Sequence, residues 1–191
     1  MEKKIILLEQ LTNKRWLNLF NVKYKNSKGK SCSWIFASRK NFPFKDDSLD
    51  AVVIVPIINT PEGKKIVITK EYRAPINCYE YGFPAGLIDR GEIPVTTVKR
   101  ELTEETGLTV KKILGKSNKI VSSAGLSDET VVIYFVEAGG NISQENQEDV
   151  EDIETLLYTQ EDVKKLLESD LKIGAKAWGV LYYFSKTGNI Q

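Results

Sequence analysis

GLIDRGEIPVTTVKRELTEETGL, residues Gly86 to Leu108, places three carboxylates in about one turn of an expected helix. That helix should run from Pro94 to Thr106, because proline suits a first turn and Gly107 suits the position just beyond the last. Val95, Val98 and Leu102 would then share one face and pack inward. Glu101 and Glu105 point together to one side of that face, with Glu104 beside them and Arg100 further round. Like charges three or four positions apart on a helix repel by roughly 0.2–0.5 kcal/mol per pair. The helix C-terminus disfavours negative charge as well. Breaking both rules within one turn implies a partner, and a cluster of hard oxygen ligands suits Mg2+ or Mn2+. In the preceding loop, Gly86 and Gly91 permit tight turns and close approach of a ligand. Glu92 is near enough to Arg100 through the loop for a salt bridge that ties loop to helix.

Composition narrows the chemistry further. The 27 basic and 26 acidic residues leave a net charge of +1, so no bulk field favours nucleic acid or a membrane surface. No apolar run has the length of a membrane span, and MEKKIILLEQLTNKR lacks a signal-peptide cleavage pattern, so the expectation is a cytoplasmic protein. Cys32 and Cys78 stand far apart and read as reduced structural thiols. The count of 0 histidines excludes Ser-His-Asp and Cys-His catalysis and any histidine-ligated zinc. Base and metal-ligand roles therefore fall to Asp and Glu.

The rest of the chain reads as α+β, with residues 1–48 as a small antiparallel β unit and 49–191 as the main domain. KKIILLEQLTN, Trp16–Lys25 and Ser31–Arg39 are expected strands, the last two joined by the turn Asn26-Ser27-Lys28-Gly29-Lys30. Trp16 and Trp34 lie on this unit, as core residues or as an aromatic clamp for a flat ligand. AVVIVPIIN and KKIVITKEYR are core strands around a Thr60-Pro61-Glu62-Gly63 turn, and CYEYGFPAG is extended because Pro84 keeps Phe83 from helical geometry. ETVVIYFVEA is a further strand and IETLLYT a shorter one, with the acidic loop Glu145–Glu154 running into the latter. Thr159 resembles the N-cap of a helix through EDVKKLLESD, and Ile173, Ala177 and Leu181 mark a final helix.

The stretch Gly86–Leu108 resembles the Nudix box, G-x5-E-x7-R-E-U-x-E-E-x-G-U with U aliphatic. Gly86, Glu92, Arg100, Glu101, Leu102, Glu104, Glu105, Gly107 and Leu108 fill every fixed position. The resemblance implies the Nudix fold, a mixed β-sheet sandwiched between helices. It also implies hydrolysis of a nucleoside diphosphate linked to another moiety. By the same resemblance Glu101, Glu104 and Glu105, with the carbonyl of Ala85, hold divalent ions, while Glu92 and Arg100 brace loop against helix. The base, or a further metal ligand, comes from the acidic loop, with Glu151 the first candidate and Glu148 the second.

Outside the box, EYRAP, FPAGLIDRGE and the N-terminal β unit are similar to the ADP-ribose pyrophosphatase subfamily. That similarity implies a homodimer through the β unit, with Trp16 and Trp34 stacking the base. It adds Arg73, Gly86 and Leu126 as substrate contacts. Two positions depart from the subfamily pattern: Gly82 stands where a Glu is usual, with Glu80 two residues away, and Ala124-Gly125 stands where Pro-Gly is common. The expected reaction is Mg2+-dependent cleavage of ADP-ribose to AMP and ribose 5-phosphate. Other nucleoside diphosphate derivatives, or oxidised nucleoside triphosphates, are the alternative substrates. A non-catalytic nucleotide-sugar sensor is the remaining reading, and the complete box argues against it.

Overall fold

A computed structural model describes residues 4–147 and 152–190, and the chain divides into two compact units. The first comprises the residues up to Asp50 together with Lys119–Val131. No break in composition marks that second segment as belonging there. The other unit is Ala51–Asn118 with the residues from Val132 onward.

In the first unit, β1 (Ile5–Gln10), β2 (Asn18–Lys25) and β3 (Ser31–Ser38) form an antiparallel sheet in that order. Phe20, Val22 and Phe36 are its buried core, with Leu8 packed against them and the two phenylalanine rings stacked at 5.8 Å. The strand expected from Trp16 starts instead at Asn18. The Asn18 side chain accepts from the Lys14 amide at 2.6 Å and donates to the Lys14 carbonyl at 2.8 Å, closing a turn that leaves Trp16 and Leu17 outside the ladder. Asn18 competes with the sheet for the backbone, as short amide side chains do.

The second unit is built on β4 (Ala51–Thr60) and β5 (Gly63–Arg73). From Ala51 to Ile57 every residue of β4 is buried, inward and outward positions alike, which marks a strand covered on both faces. Pro56 interrupts this run without harm, because it falls between the stretch Ala51–Val53 paired to β7 (Ala85–Leu87) and the stretch Ile57–Thr60 paired to β5. The sheet path continues through β6 (Cys78–Gly82), β8 (Thr109–Lys116), β10 (Thr130–Gly139), β11 (Ile153–Tyr158) and β12 (Lys172–Ile173). Its order is β12-β6-β5-β4-β10-β8, with β7 on β4 and β11 on β5. A two-residue strand, β9 (Ile120–Val121), pairs with Thr130 and Val131 inside the first unit. The architecture is a mixed sheet with helices packed against it and a separate N-terminal antiparallel sheet.

Three α-helices complete it among the described residues: α1 (Pro94–Thr106), α2 (Gln160–Leu167) and α3 (Ala175–Thr187). The bounds of α1 are those its proline and glycine imply, and Gly107 closes it at φ +74°. Thr159 and Asp162 form a reciprocal capping box on α2. Ile173 is not on the final helix as expected: it forms the short parallel strand β12 against Tyr81, and α3 begins two residues later after Gly174. Ile173 keeps the helical spacing to Ala177 only by coincidence of periods.

Candidate active site

Helix α1 packs on β4 and β7, which brings its carboxylates against Gly86 of β7. Glu101 and Glu105 are only 8% and 4% exposed, so this is not a solvated acidic face. The Glu105 carboxylate accepts from the Ala85 amide at 3.4 Å, and Glu104 is half-buried beside them. Gly86 leaves the room that Glu101 uses: a Cβ there would lie 1.8 Å from the Glu101 Oε1. A buried set of carboxylate oxygens that a side chain at residue 86 would displace is a fitting cradle for a hard divalent cation.

Arg100 is the counter-charge within this arrangement. Its Nη1 donates to Glu101 Oε1 at 2.7 Å and to Glu104 Oε2 at 2.9 Å. Nε donates to Glu92 Oε1 at 3.2 Å, and Nη2 donates to Glu92 Oε2 and to the Leu87 carbonyl, both at 3.1 Å. Glu92 also accepts from the Thr97 hydroxyl at 2.8 Å and from the Asp89 amide at 3.3 Å. Those donors, the guanidinium first, hold the Glu92 carboxyl down at about 2, against burial that pulls the other way. The carboxylates around Arg100, Glu92 foremost, push the guanidinium's own pKa upward. With Glu101 and Glu104 closed on Arg100, no three Asp, Glu or Cys side chains among the described residues stand at metal-holding spacing.

A second group lies on the neighbouring strands. The β5–β6 register sets Thr69 opposite Gly82, Glu71 opposite Glu80 and Arg73 opposite Cys78. Arg73 reaches back to both acids, Nη1 to Glu71 at 2.6 Å and Nε to Glu80 at 3.3 Å. Arg73, Glu71, Glu80, Gly82 and Ala85 line a cavity of about 130 Å³ whose far wall is the start of α3, Gly174 to Ala177. Gly82 leaves that space open, and Glu80 enters it from two residues away on the same strand face. Glu71 and Lys176 have no local signal in the sequence; the strand register and the docking of α3 bring them here.

The other expected contacts lie in the first unit. Trp16 and Trp34 are 68% and 51% exposed, so neither is a core residue. The Trp34 indole donates to the Gly125 carbonyl at 3.1 Å, which sets the plane of its ring, and Arg15 covers the Trp16 ring at 4.3 Å. Leu126 is exposed, and its carbonyl accepts from the Ala37 amide of β3 at 2.8 Å. Glu148 and Glu151 lie outside the described residues.

The NUDIX domain model matches residues 48–177. The chain belongs to the NUDIX family. An ADP-ribose pyrophosphatase of Bacillus subtilis is 32% identical over 192 residues, covering 100% of this Nudix chain and 97% of the relative. An ADP-ribose pyrophosphatase of Saccharomyces cerevisiae is 31% identical over 77% of the chain and 63% of its own length. An ADP-sugar pyrophosphatase of Mus musculus is 30% identical over 73% and 63%. Among solved structures, one titled as the crystal structure of an ADP compounds hydrolase superposes with a TM-score of 0.73. It covers 100% of this chain and 98% of its own at 17% identity, a likeness of fold. The chain is a Nudix hydrolase. No helix among the described residues is long and apolar enough to cross a membrane.

Proposed function

We propose that this Nudix hydrolase cleaves the diphosphate linkage of nucleoside diphosphate sugars, ADP-ribose foremost, and releases AMP and ribose 5-phosphate. The observation that carries the reading is the burial of Glu101 and Glu105 beneath Gly86, where a side chain at residue 86 would displace a carboxylate. The names of its relatives support the choice of sugar nucleotide.

Glu101, Glu104 and Glu105, with the Ala85 carbonyl, would hold the divalent cation, Mg2+ first and Mn2+ in its place. When bound, such an ion neutralises diphosphate charge and makes a coordinated water more acidic. Arg100 bridges Glu101 and Glu104 through Nη1 and offsets their mutual repulsion, and Glu92 holds Arg100 to the loop. Arg73, tethered by Glu71 and Glu80 at the cavity, presents a planar cation suited to a phosphate oxygen. Trp34, its plane set by Gly125, offers an exposed ring face for a base, a contact worth about 1–3 kcal/mol. Trp16 offers a second ring and Leu126 an apolar neighbour. Glu151, with Glu148 as second choice, is proposed as the acidic-loop group that takes the proton from the attacking water.

The test is a panel of ADP-ribose, other nucleotide sugars, dinucleotides and nucleoside triphosphates, assayed with Mg2+ and with chelator, with product identification. The expected result is Mg2+-dependent release of AMP from ADP-ribose. Glu105→Gln should lower that rate by at least about 10²-fold, the scale of losing one electrostatic group at a reacting centre, with the fold intact. Turnover of nothing in the panel would overturn the reading, and preference for a triphosphate would overturn the substrate.

A further inference from the structure

Lys176 stands where local electrostatics disfavours it. It is the second residue of α3, whose first turn has no acidic side chain, and it is exposed. A cation there faces the positive end of the helix dipole. Among the described residues no acid pairs with it. Its side chain lines the cavity of about 130 Å³ together with Arg73, Glu71 and Glu80. Arg73 is already engaged by both carboxylates, Nη1 with Glu71 and Nε with Glu80 Oε2. That group of three side chains carries one net negative charge, and Lys176 brings the cavity wall to neutrality. The other oxygen of Glu80, Oε1, lies toward α3, since a Cβ on Gly174 would come within 2.9 Å of it. Ala85 lines the same cavity, and its amide donates to the Glu105 carboxylate at 3.4 Å, so the cavity adjoins the carboxylates of α1.

We infer that Lys176 is a substrate-contacting residue that selects the sugar-phosphate half of the nucleotide sugar and holds its phosphate in this cavity. The inference rests on the nucleotide-sugar reading given above. A pocket for a whole ligand has about 300–1,000 Å³, so this cavity takes one part of such a substrate. Its walls choose the part. A base calls for an open aromatic face, and the one ring on this wall, Phe83, is buried. A phosphorylated sugar calls for a cation at its phosphate and an acceptor for its hydroxyls. Lys176 supplies the cation, a point charge on a flexible stem. Glu80 Oε1 supplies the acceptor, while Oε2 serves Arg73. A contact made equally in the ground and transition states acts on KM and leaves kcat.

The experiment compares wild type, Lys176→Ala and Lys176→Arg as full chains. Titration calorimetry with Mg2+ present measures ribose 5-phosphate and AMP separately, and steady-state kinetics follows ADP-ribose. Lys176→Ala should weaken ribose 5-phosphate about tenfold, the scale of a hydrogen bond to a charged group, and leave AMP within about twofold. It should raise KM about fivefold or more with kcat within about threefold. Lys176→Arg keeps the charge and should hold both affinities within about threefold. Because Lys176 opposes the helix dipole, the alanine variant should melt no lower than wild type. Unchanged ribose 5-phosphate affinity in Lys176→Ala would overturn the inference. So would equal losses for the two products, which would make Lys176 a general source of field. Lost affinity together with a lowered melting temperature would overturn it as well, by giving Lys176 a role in the fold. Wild type that binds ribose 5-phosphate through Lys176 yet hydrolyses nothing would overturn the hydrolase reading alone.

Discussion

Glu92 shows at the level of one residue how the box holds itself together. Its carboxylate collects donors from Arg100, Thr97 and the Asp89 amide, and these depress its pKa from the ordinary 4.5 to about 2. A carboxyl depressed on folding contributes stability above its unfolded pKa, and that contribution fades as pH falls through the folded one. The window here runs from 4.5 down to about 2. Thermal unfolding between pH 7 and pH 2 should therefore show a steeper loss for wild type than for Glu92→Gln. At pH 7 the variant should be the less stable by about 1.5–3 kcal/mol, the scale of a hydrogen bond to a charged group. Parallel pH slopes would remove Glu92 from the brace. The pairing with Arg100 is legible in the sequence, since both sit at fixed spacing in one short stretch. Thr97 as a third donor follows only once the first turn of α1 is built.

At the scale of elements, the end of α1 couples helix geometry to the loop that follows β10. Gly107 takes φ +74°, and a Cβ on it would lie 2.5 Å from the Ser143 backbone nitrogen. Gly91, at φ +85°, would meet nothing within 4 Å. Both should resist alanine because L-residues pay about 1–2 kcal/mol in the left-handed region. Only Gly107→Ala should cost a further amount of about 1–3 kcal/mol for displacing packed backbone. Urea unfolding of the two variants checks this, and equal losses would show that the Ser143 loop gives way freely. The glycine cap is visible in the sequence. The obstruction is not, because Ser143 is 36 positions further on and reaches Gly107 only through the sheet.

For the molecule as a whole, the three-stranded sheet of the first unit leaves Leu7, Leu19 and Ile35 exposed beside its small core. Sheets this small gain stability by packing on something. A second copy is the occupant proposed here, in keeping with the dimer that the sequence resemblance implies. Light scattering at micromolar concentration should give twice the chain mass of 21.6 kDa, and Ile35→Asp should return it to the monomer with its α1 site intact. A monomeric wild type would refute the dimer.

What the sequence determined by itself is local. The limits of α1, the spacing of its carboxylates, the capping box on α2 and the β-branched run of β4 all depend on neighbours within a few positions. The same locality misled at two places. Asn18 turned its side chain on Lys14 and shortened β2, and Ile173 paired with Tyr81 instead of joining α3. Only the tertiary structure decided that Glu101 and Glu105 are buried, that Arg73 is held between Glu71 and Glu80, and that Gln147 grips the Glu105 carbonyl. Those pairings join residues far apart along the chain on different strands and loops. Their energies arise from burial and strand register, which exist only after the sheet has formed.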